Sequence, residues 1–540
     1  MGRGSGETAP SPEATCRSDY NSTLAARRRL YGPNTSLSYE QPLMIVRGSG
    51  TYLYDDQGVE YLDCVNNVSH VGHGNPEVAS AICSQLHTLN TNSRYLHPGL
   101  PAYTEALLNT LNGRPAFPPP PAASAPPPEA PEPASPPPPA PARTSAASAS
   151  AAIAPTTTTT TTTTAQAGPD LSVLYLVCSG SEANDLALRL VAASRPGATH
   201  VAVMGGAYHG HTAALIPLSP YKFWGRGGEG RAPHVHVVPC PDPYRGEHLD
   251  GAAAARAVLE AARRAGGRLG AFFGESLLSC GGQVVPPAAY MRDLYGVFRS
   301  EGVVLVADEV QCGFGRCGAA FWGFQALGVR PDIVTMGKPI GNGYPMAALA
   351  TTRALADAFA APGMEYFNTY GGSTAAVAAG LAVLRVLTQE CLQQRAAAVG
   401  DYLLAGLQRL VAEHEVLGEA RGLGLFVGLE VVADKASRRH APVTARWIKE
   451  RMKARRVLLS TDGPYDNVIK MKPPLVFGFR EVDVLLSQLS EVMARELTAA
   501  VRSELLAQEE GHWAAVMAPR QAAYRDNERR LFAGGAVARL

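Results

Sequence analysis

The chain has 540 residues, of which 46% are hydrophobic, so it is long enough for two or more domains with a sizeable core. Lys and Arg total 48 against 47 Asp and Glu, a balance that excludes a partner held by bulk charge, such as nucleic acid or an anionic membrane surface. The nine cysteines are scattered without a CxxC pair, which indicates free thiols and predicts no metal site.

The first stretch, residues 1–22, has acidic residues and no apolar core, so we expect a disordered N-terminus rather than a secretory signal. The chain ends in Ala538, Arg539 and Leu540, an ending akin to the peroxisomal Ser-Lys-Leu address. We expect a cytoplasmic or mitochondrial matrix protein, with the peroxisome as an alternative. No apolar run reaches membrane-spanning length, so no membrane partner is expected.

Residues 23–75 are predicted to be the N-terminal part of a small domain. The stretch TYLYDDQGVEYLD, residues 51–63, has β-type residues on both sides of a polar turn that ends in glycine, which predicts a hairpin. Residues 76–114 are predicted to begin a large domain.

An insertion, residues 115–168, interrupts this large domain. It contains 16 of the 42 prolines, three charged residues and nine consecutive threonines, Thr156 to Thr164. Such a composition cannot bury enough apolar surface to offset its ordering entropy, so we predict a disordered surface loop. A P-x-x-P ligand for an adaptor domain is the alternative.

Residues 169–385 continue the large domain, where short β-rich runs alternate with helix-like segments. Such alternation predicts an α/β fold with a mostly parallel sheet of about seven strands flanked by helices. Ligands of such sheets bind at the carboxyl ends of the strands. Residues 386–497 are predicted to complete a smaller α+β domain built from both ends of the chain, and a helical tail follows over 498–540. The seven runs are VLYLVC, HVAVM, HVHVV, GAFFGES, VVLVADEV, DIVTMG and MAALATT.

Three of the predicted strands end in residues that can carry chemistry. Gly180 and Ser181 begin a helix directly after a strand, and the free N–H groups at such a helix start can bind an anion. The alternative is an ordinary serine N-cap, which has the same sequence pattern. Asp308 ends a buried strand and needs a positively charged partner, which a structural salt bridge would also supply. Lys338 follows a strand and precedes a Gly-rich turn, where low-dielectric walls favour a nucleophilic amine; a surface lysine is the alternative.

These three features together fit one ligand. Pyridoxal 5'-phosphate needs a lysine for its aldehyde, a carboxylate for its ring nitrogen and a cup for its phosphate. The combination therefore predicts a pyridoxal phosphate enzyme, although each feature alone has an ordinary structural explanation.

Over residues 25–114 and 169–495 the sequence resembles the class III (ω-amino-acid type) aminotransferases, pyridoxal phosphate enzymes of fold type I. The motifs that carry the resemblance are SGSEAND, AYHGH, ADEVQCGFGR, DIVTMGKPIGNG and NTYGG. The resemblance implies a homodimer with a shared active site, in which Thr369 reaches the neighbouring subunit's phosphate. It also implies that Lys338 forms the Schiff base, that Asp308 binds the pyridinium nitrogen, and that the other contacts come from Gly180, Ser181, Tyr208, His209, Gln311 and, near the substrate channel, Glu275.

Transaminating members carry an arginine before a late Pro-Pro pair, whereas here Lys470 occupies that place in NVIKMKPP and Lys472 follows. Two ammonium groups suit a compact anion such as phosphate, and the motif resembles the phospho-lyase branch, which acts on O-phosphoethanolamine or 5-phosphohydroxylysine. A solvated edge strand is the alternative interpretation of the two lysines. The substrate contacts expected besides them are Arg94, Asn66 and Asn67.

We therefore expect a carbon–oxygen lyase that acts on a small phosphorylated amine. The alternative enzyme is an ω-aminotransferase of the alanine:glyoxylate type, which FWGFQ and GNGYPMAA also fit. A noncatalytic scaffold that uses the Pro-rich insertion is a more remote alternative.

Overall fold

The computed structural model describes residues 19–117 and 168–532. Nearly all of the predicted insertion, most of the N-terminal stretch and the Ala538 to Leu540 ending lie outside the described residues. The first helix begins at Tyr20, inside the stretch 1–22 that was predicted to be disordered. The reason is a cap that the prediction missed, because Asp19 accepts a hydrogen bond from the backbone N of Ser22 at 3.0 Å.

In the described ranges the helices are α1 Tyr20–Leu30, α2 Pro76–Thr88, α3 Gly99–Leu111, α4 Gly180–Ser194, α5 Pro220–Phe223, α6 Gly251–Arg264, α7 Ala288–Ser300, α8 Gly323–Ala326, α9 Arg353–Ala360, α10 Thr374–Gln389, α11 Leu392–Glu413, α12 Pro442–Ala454, α13 Phe479–Glu491, α14 Ala499–His512 and α15 Ala518–Phe532. The strands are β1 Ile45–Ser49, β2 Tyr52–Asp55, β3 Glu60–Asp63, β4 Val173–Val177, β5 His200–Met204, β6 Val235–Val238, β7 Leu269–Glu275, β8 Val304–Asp308, β9 Ile333–Met336, β10 Ala347–Thr351, β11 Leu417–Leu423, β12 Phe426–Val431, β13 Val457–Leu458, β14 Ser460–Asp462 and β15 Val468–Met471.

The large domain is built on a seven-stranded sheet in the order β4-β10-β9-β8-β7-β5-β6. Its strands are the seven runs predicted from the sequence, and all of them run parallel except β10, which is antiparallel to both β4 and β9. Strands such as β8 and β9 are buried along their whole length because helices cover both faces. The predicted α/β fold is confirmed.

The small domain contains two four-stranded sheets, in the orders β1-β2-β3-β13 and β11-β12-β15-β14. The predicted hairpin is present as β2 and β3, with Gly58 at φ +78° in its turn. Strand β13 pairs in parallel with β3, Val457 opposite Leu62. The two ends of the chain therefore share one sheet, as the sequence predicted.

The register of the large sheet brings several strand ends side by side. Glu275 at the end of β7 pairs with Asp308 at the end of β8, and Asp308 pairs with Thr335 in β9. The last residue of β4, Val177, lies opposite the first residue of β10. We call this side of the sheet, formed by the ends of β4, β7, β8 and β9, the carboxyl edge.

The predicted tail is helical, since α14 and α15 are joined through the helical turn Trp513–Met517. No single helix of the described ranges has the length and hydropathy to cross a membrane. The helices α10 and α11 meet that criterion only as a pair, bent by 61°.

Candidate active site

A cavity of about 310 Å³ opens at the carboxyl edge, and the three features predicted from strand ends all line it. Its wall is formed by the turn after β4, the turn after β5, the end of β8 and the Gly-rich turn after β9. The site residues proposed from the sequence that line this cavity are Gly180, Ser181, Tyr208, His209, Asp308, Gln311 and Lys338.

The carboxylate of Asp308 is 3% exposed and is held by three donors. Its Oδ2 accepts hydrogen bonds from Asn184 Nδ2 at 2.8 Å and is 2.9 Å from His209 Nδ1, while the Val310 backbone N donates to Oδ1 at 3.1 Å. The Thr335 hydroxyl donates to Asn184 Oδ1 and so turns the amide nitrogen toward Asp308. The protein partners of the Asp308 carboxylate are thus a histidine and an amide, and its pairing with a pyridinium nitrogen stays a prediction.

Asn184 was missed by the sequence reasoning. It lies four residues after Gly180 on α4, and a spacing of four puts both on the same face of the helix. That spacing within SGSEAND was the available signal. Ser219 was missed too, and its hydroxyl accepts a hydrogen bond from the backbone N of His209 at 3.0 Å.

The start of α4 provides a site for an anion. Ser179 caps the helix by accepting a hydrogen bond from Glu182 N, and the remaining N–H groups of the first turn have no partner within the helix. A Cβ on Gly180 would lie 2.9 Å from Val310, so only glycine fits there. The Ser181 hydroxyl accepts a hydrogen bond from His211 N at 3.2 Å, which closes the cup on its second side.

Lys338 is half-buried and adopts φ +40°, a left-handed conformation that a lysine rarely takes. The following Pro339 further restricts its backbone, so the turn is strained at the residue that lines the cavity. Over residues 19–117 and 168–532, no hydrogen bond or ion pair holds Lys338 Nζ. An amine at this position is available to a ligand.

Gln311 links the cavity to the small domain. Its Oε1 accepts hydrogen bonds from Asn67 Nδ2 at 3.3 Å and from Lys472 Nζ at 2.7 Å. Lys472 also donates to the Ser279 hydroxyl at 2.5 Å and is 1% exposed. Burial and then the nearby Lys470 ammonium lower the pKa of Lys472 well below its usual value.

Lys470 and Lys472, which we call the lysine pair, differ in their partners. Lys470 Nζ forms an ion pair with Asp462 at 2.8 Å; burial lowers and the Asp462 carboxylate raises the pKa of Lys470, with a net upward shift. No carboxylate in the described part of the chain lies within ion-pair distance of Lys472. Strand β15 lies between β12 and β14, so the alternative of a solvated edge strand is wrong.

Glu275 supports the cavity from behind. Its two oxygens accept hydrogen bonds from the backbone N of Tyr208 and of Ser279, both at 3.0 Å, and it is 2% exposed. Burial and the neighbouring Asp308 carboxylate raise the pKa of Glu275 to about 7. It does not line the cavity, so its contact with a substrate stays a prediction.

Three other predicted residues lie outside the cavity. Arg94 is exposed, pairs with Glu365 at 2.9 Å and stacks over Phe367. Thr369 is exposed in the same surface segment, and Asn66 contacts Asp63 through its backbone N. Exposure of Thr369 is what a role in a neighbouring subunit requires, and that role stays a prediction.

A larger cavity of about 1080 Å³ lies between both domains and the tail, and neither Lys338 nor Asp308 lines it. Its charged groups largely neutralise one another: Glu430 pairs with Arg245 at 2.7 Å and with Arg421 at 2.6 Å. The smaller cavity therefore holds the reactive groups.

The residues of the smaller cavity fit pyridoxal 5'-phosphate. Lys338 Nζ has no partner among the residues that the structure describes and could bind the aldehyde, while Asp308 is buried and held in place where it could pair with a ring nitrogen. The glycine at 180 leaves room for a phosphate at the start of α4. Tyr208 and Val310 line the space that remains for the ring.

Comparison with known proteins agrees with this chemistry. The family model described as "Aminotransferase class-III" matches residues 142–493. A Drosophila melanogaster relative named alanine–glyoxylate aminotransferase 2-like is 41% identical over 503 residues, 90% of each chain. A Caenorhabditis elegans relative named ethanolamine-phosphate phospho-lyase homolog 1 is 34% identical over 512 residues, 90% of this chain and 97% of the relative.

Two solved structures have the same fold. A phospholyase from Arthrobacter in complex with phosphoethanolamine is 36% identical, with a TM-score of 0.73 over 88% of this chain and 99% of that one. An omega transaminase from Pseudomonas jessenii in complex with PMP is 25% identical, with a TM-score of 0.68 over 84% of this chain and 93% of the other.

Proposed function

The chain belongs to the class III aminotransferase family, whose cofactor is pyridoxal 5'-phosphate, and we propose that it is a phospho-lyase. The reaction removes phosphate and ammonia from a phosphorylated amino alcohol, either O-phosphoethanolamine or 5-phosphohydroxylysine. The observation that carries the proposal is Lys472, a fully buried lysine without a carboxylate partner in the described ranges, 2.7 Å from the cavity residue Gln311.

The charge of the lysine pair supports a phosphate-bearing substrate. Asp462 neutralises Lys470, so when Lys472 is protonated the pair and Asp462 together carry one excess positive charge beside the cavity. A buried unpaired cation is costly, and a phosphate that enters the cavity relieves this cost. The bound phosphoethanolamine of the Arthrobacter structure is a substrate of this chemical type.

Each residue of the cavity has its own role in the proposed reaction. When bound, pyridoxal phosphate supplies an electron sink for the carbon that bears the substrate amine. Lys338 Nζ would hold the cofactor between turnovers and, once the substrate amine has displaced it, would take the proton from that carbon. Asp308 Oδ2, fixed by Asn184 and His209, would keep the ring nitrogen protonated. The first turn of α4 would bind the cofactor phosphate through Gly180 and Ser181.

Elimination follows from the position of the leaving group. The electron pair left by the proton forms a carbon–carbon double bond as the adjacent carbon–oxygen bond breaks and inorganic phosphate leaves. Lys338 Nζ would then take back its bond to the cofactor and free the enamine, which water hydrolyses, so O-phosphoethanolamine and water give acetaldehyde, ammonia and phosphate. The lysine pair would stabilise the phosphate as it departs.

Phosphate release tests the proposal. The purified protein loaded with cofactor should release inorganic phosphate and ammonia from O-phosphoethanolamine or 5-phosphohydroxylysine in the absence of any keto acid. The two substrates compared side by side identify the preferred one. A strict requirement for pyruvate or glyoxylate would contradict the lyase proposal.

The second candidate is an ω-aminotransferase, supported by the name of the Drosophila relative, which is 41% identical. This reaction would return the proton to the cofactor and would need a keto acid as acceptor. Production of glycine from glyoxylate with alanine as donor would support it. A scaffold without catalysis would show no visible absorbance band of a bound cofactor.

We also propose a homodimer in which Thr369 of one subunit completes the other subunit's phosphate site. Thr369 and Arg94 are both exposed, and Arg94 pairs with Glu365 of the Thr369 segment. Sedimentation equilibrium of the protein and of Thr369→Ala, together with cofactor affinity, tests this proposal. A monomer with unchanged cofactor affinity would contradict it.

A further inference from the structure

The last helix of the described chain contacts both domains through one face. Arg520, Tyr524, Asn527 and Leu531 of α15 are spaced four, three and four residues apart, which lines them up along the helix. Leu531 is 4% exposed, and the buried Asn527 donates from Nδ2 to the Val237 carbonyl in β6 at 3.1 Å. These two residues anchor the helix to the large domain.

Arg520 contacts the small domain beside the lysine pair. Its Nη1 donates to the Pro464 carbonyl at 2.6 Å and lies 3.3 Å from Asp466 Oδ2. Both residues belong to the turn between β14 and β15. The two strands that leave this turn carry Asp462 and Lys470, the ion pair next to the active site.

Tyr524 contacts the large domain at two segments that lead to the cavity. Its ring centroid lies 4.3 Å from that of Trp224, just after α5, and its phenol lies beside the backbone of Gly206. Gly206 precedes the cavity residue Tyr208 by two positions. Ser219, just before α5, accepts the hydrogen bond from His209 N.

Next to the turn between β14 and β15, the small domain and the large domain also approach each other through backbone atoms. Gly463 N donates to the Cys280 carbonyl at 3.1 Å, and a Cβ on Gly206 would lie 3.0 Å from the Gly281 Cα and 3.6 Å from Pro464. Small residues of this kind permit a close approach of the two backbones but contribute few side-chain contacts. The side chains of α15 supply large contacts on both sides of this junction.

From these contacts we propose that Arg520 and Tyr524 are positioning residues that hold the lysine-pair turn against the Tyr208 wall of the active site. The residues that hold the cofactor all lie in the large domain, whereas Lys470 and Lys472 lie in the small domain. The helix therefore sets the distance between the bound cofactor and the group that recognises the substrate's phosphate. This consequence for the substrate rests on the proposed phospho-lyase function.

The test compares Arg520→Ala/Tyr524→Ala with the unchanged protein as full-length, cofactor-loaded chains. Loss of the two contacts should raise KM for O-phosphoethanolamine about tenfold and change kcat by less than about threefold, with the visible cofactor band retained. Hydrogen exchange should accelerate about tenfold in residues 462–467 and 219–224, because both segments lose a contact.

Three variants serve as controls. Tyr524→Phe keeps the ring against Trp224 and should restore most of the KM, and Arg520→Lys should restore part of it. Arg529→Ala removes an exposed charge from the same helix and should change nothing. If the double variant does not fold, Tyr524→Leu alone gives the same two measurements.

The outcomes separate this proposal from the proposed function. Unchanged exchange in both segments overturns the positioning role, and so does a parallel loss of kcat, cofactor and thermal stability, which indicates a purely structural helix. If the unchanged protein releases no phosphate, the phospho-lyase reaction is wrong. Faster exchange in both segments of the double variant would still support the bridge between the domains.

Discussion

The carboxyl edge and the lysine pair are built in different ways. At the edge, Asp308 and Lys338 follow neighbouring strands of one sheet, and the residues beside them are fixed by contacts within the large domain. The lysine pair lies in and directly after β15 of another sheet, and Lys472 contacts the cavity residue Gln311. Under the proposed function, cofactor chemistry belongs to the large sheet and recognition of the substrate's phosphate to the second domain. This separation would allow the substrate to change while the residues that hold the cofactor stay the same.

The largest effect is expected from removal of the reactive amine at the carboxyl edge. Lys338→Ala should lower kcat for phosphate release by about 10⁴-fold, because it removes both the covalent link and the general base. The visible band of the linked cofactor should disappear from the absorbance spectrum. Lys435→Ala, at a lysine that hydrogen-bonds the Ala412 carbonyl, is the control and should behave as the unchanged protein does. Residual activity above a hundredth would point to another base.

Asp308→Asn tests whether catalysis needs the negative charge at position 308 or only a side chain of that size. The amide keeps the size of the side chain but removes the negative charge that holds a proton on the ring nitrogen. We expect kcat to fall by about 10³-fold while the protein still binds the cofactor. Asp357→Asn, at an exposed aspartate on α9, is the matched control. A kcat within tenfold of the unchanged protein would contradict the assigned role.

The first test of the lysine pair concerns stability. Lys470→Met leaves the Asp462 carboxylate, 2% exposed, without its ion-pair partner. An uncompensated buried charge should lower the free energy of unfolding by about 3 kcal/mol, measured by urea denaturation. Asp462→Asn combined with Lys470→Met removes the orphaned charge and should recover most of the loss. No recovery in the double variant would mean that packing, not charge, explains the loss.

Lys472→Met tests the other member of the pair, which has no carboxylate partner in the described residues, so the substitution leaves no buried carboxylate unpaired there. The free energy of unfolding should change by less than about 1 kcal/mol, because a lysine whose charged form is disfavoured by burial is replaced by an apolar chain of similar size. KM for the phosphorylated substrate should rise about 30-fold with the cofactor band unchanged, since one cation is lost from the phosphate site. Equal KM values would remove Lys472 from substrate recognition.

Sequence reasoning identified the edge more completely than the lysine-pair side, for a physical reason. Asp308 ends a strand, and Gly180 and Lys338 each come shortly after one, so a local pattern predicts them, and parallel strands then bring these positions together. The network around Gln311 is not local: Gln311 is 244 residues from Asn67 and 161 from Lys472. The family resemblance predicted that Gln311 contacts the cofactor and that Asn67 and Lys472 contact the substrate, but not that these side chains bind one another.

The positions of Glu275 and Asn184 show the limit of the motifs. Glu275 was expected near the substrate, yet its carboxylate accepts two backbone hydrogen bonds behind Tyr208. A motif gives the residue type at a strand end but not the direction of its side chain. No role in the site was predicted for Asn184, because an asparagine inside a helix has many ordinary roles.

The smallest expected effect is on the pH dependence of stability, and it comes from Glu275, the carboxylic acid beside Asp308 at the carboxyl edge. The pKa of Glu275 in the folded protein is raised to about 7, above its unfolded value, so the folded state holds the proton more tightly. Its contribution to stability is present at low pH and is lost as the pH rises through about 7. Between pH 6 and 8 this loss should amount to about 1 kcal/mol in the free energy of unfolding.

The variant Glu275→Gln tests this expectation, because the glutamine side chain cannot titrate and the variant should lack this part of the pH dependence. The substitution also weakens one backbone hydrogen bond at every pH. Urea denaturation at both pH values measures the difference, and equal slopes in the two proteins would mean that Glu275 is ionised throughout.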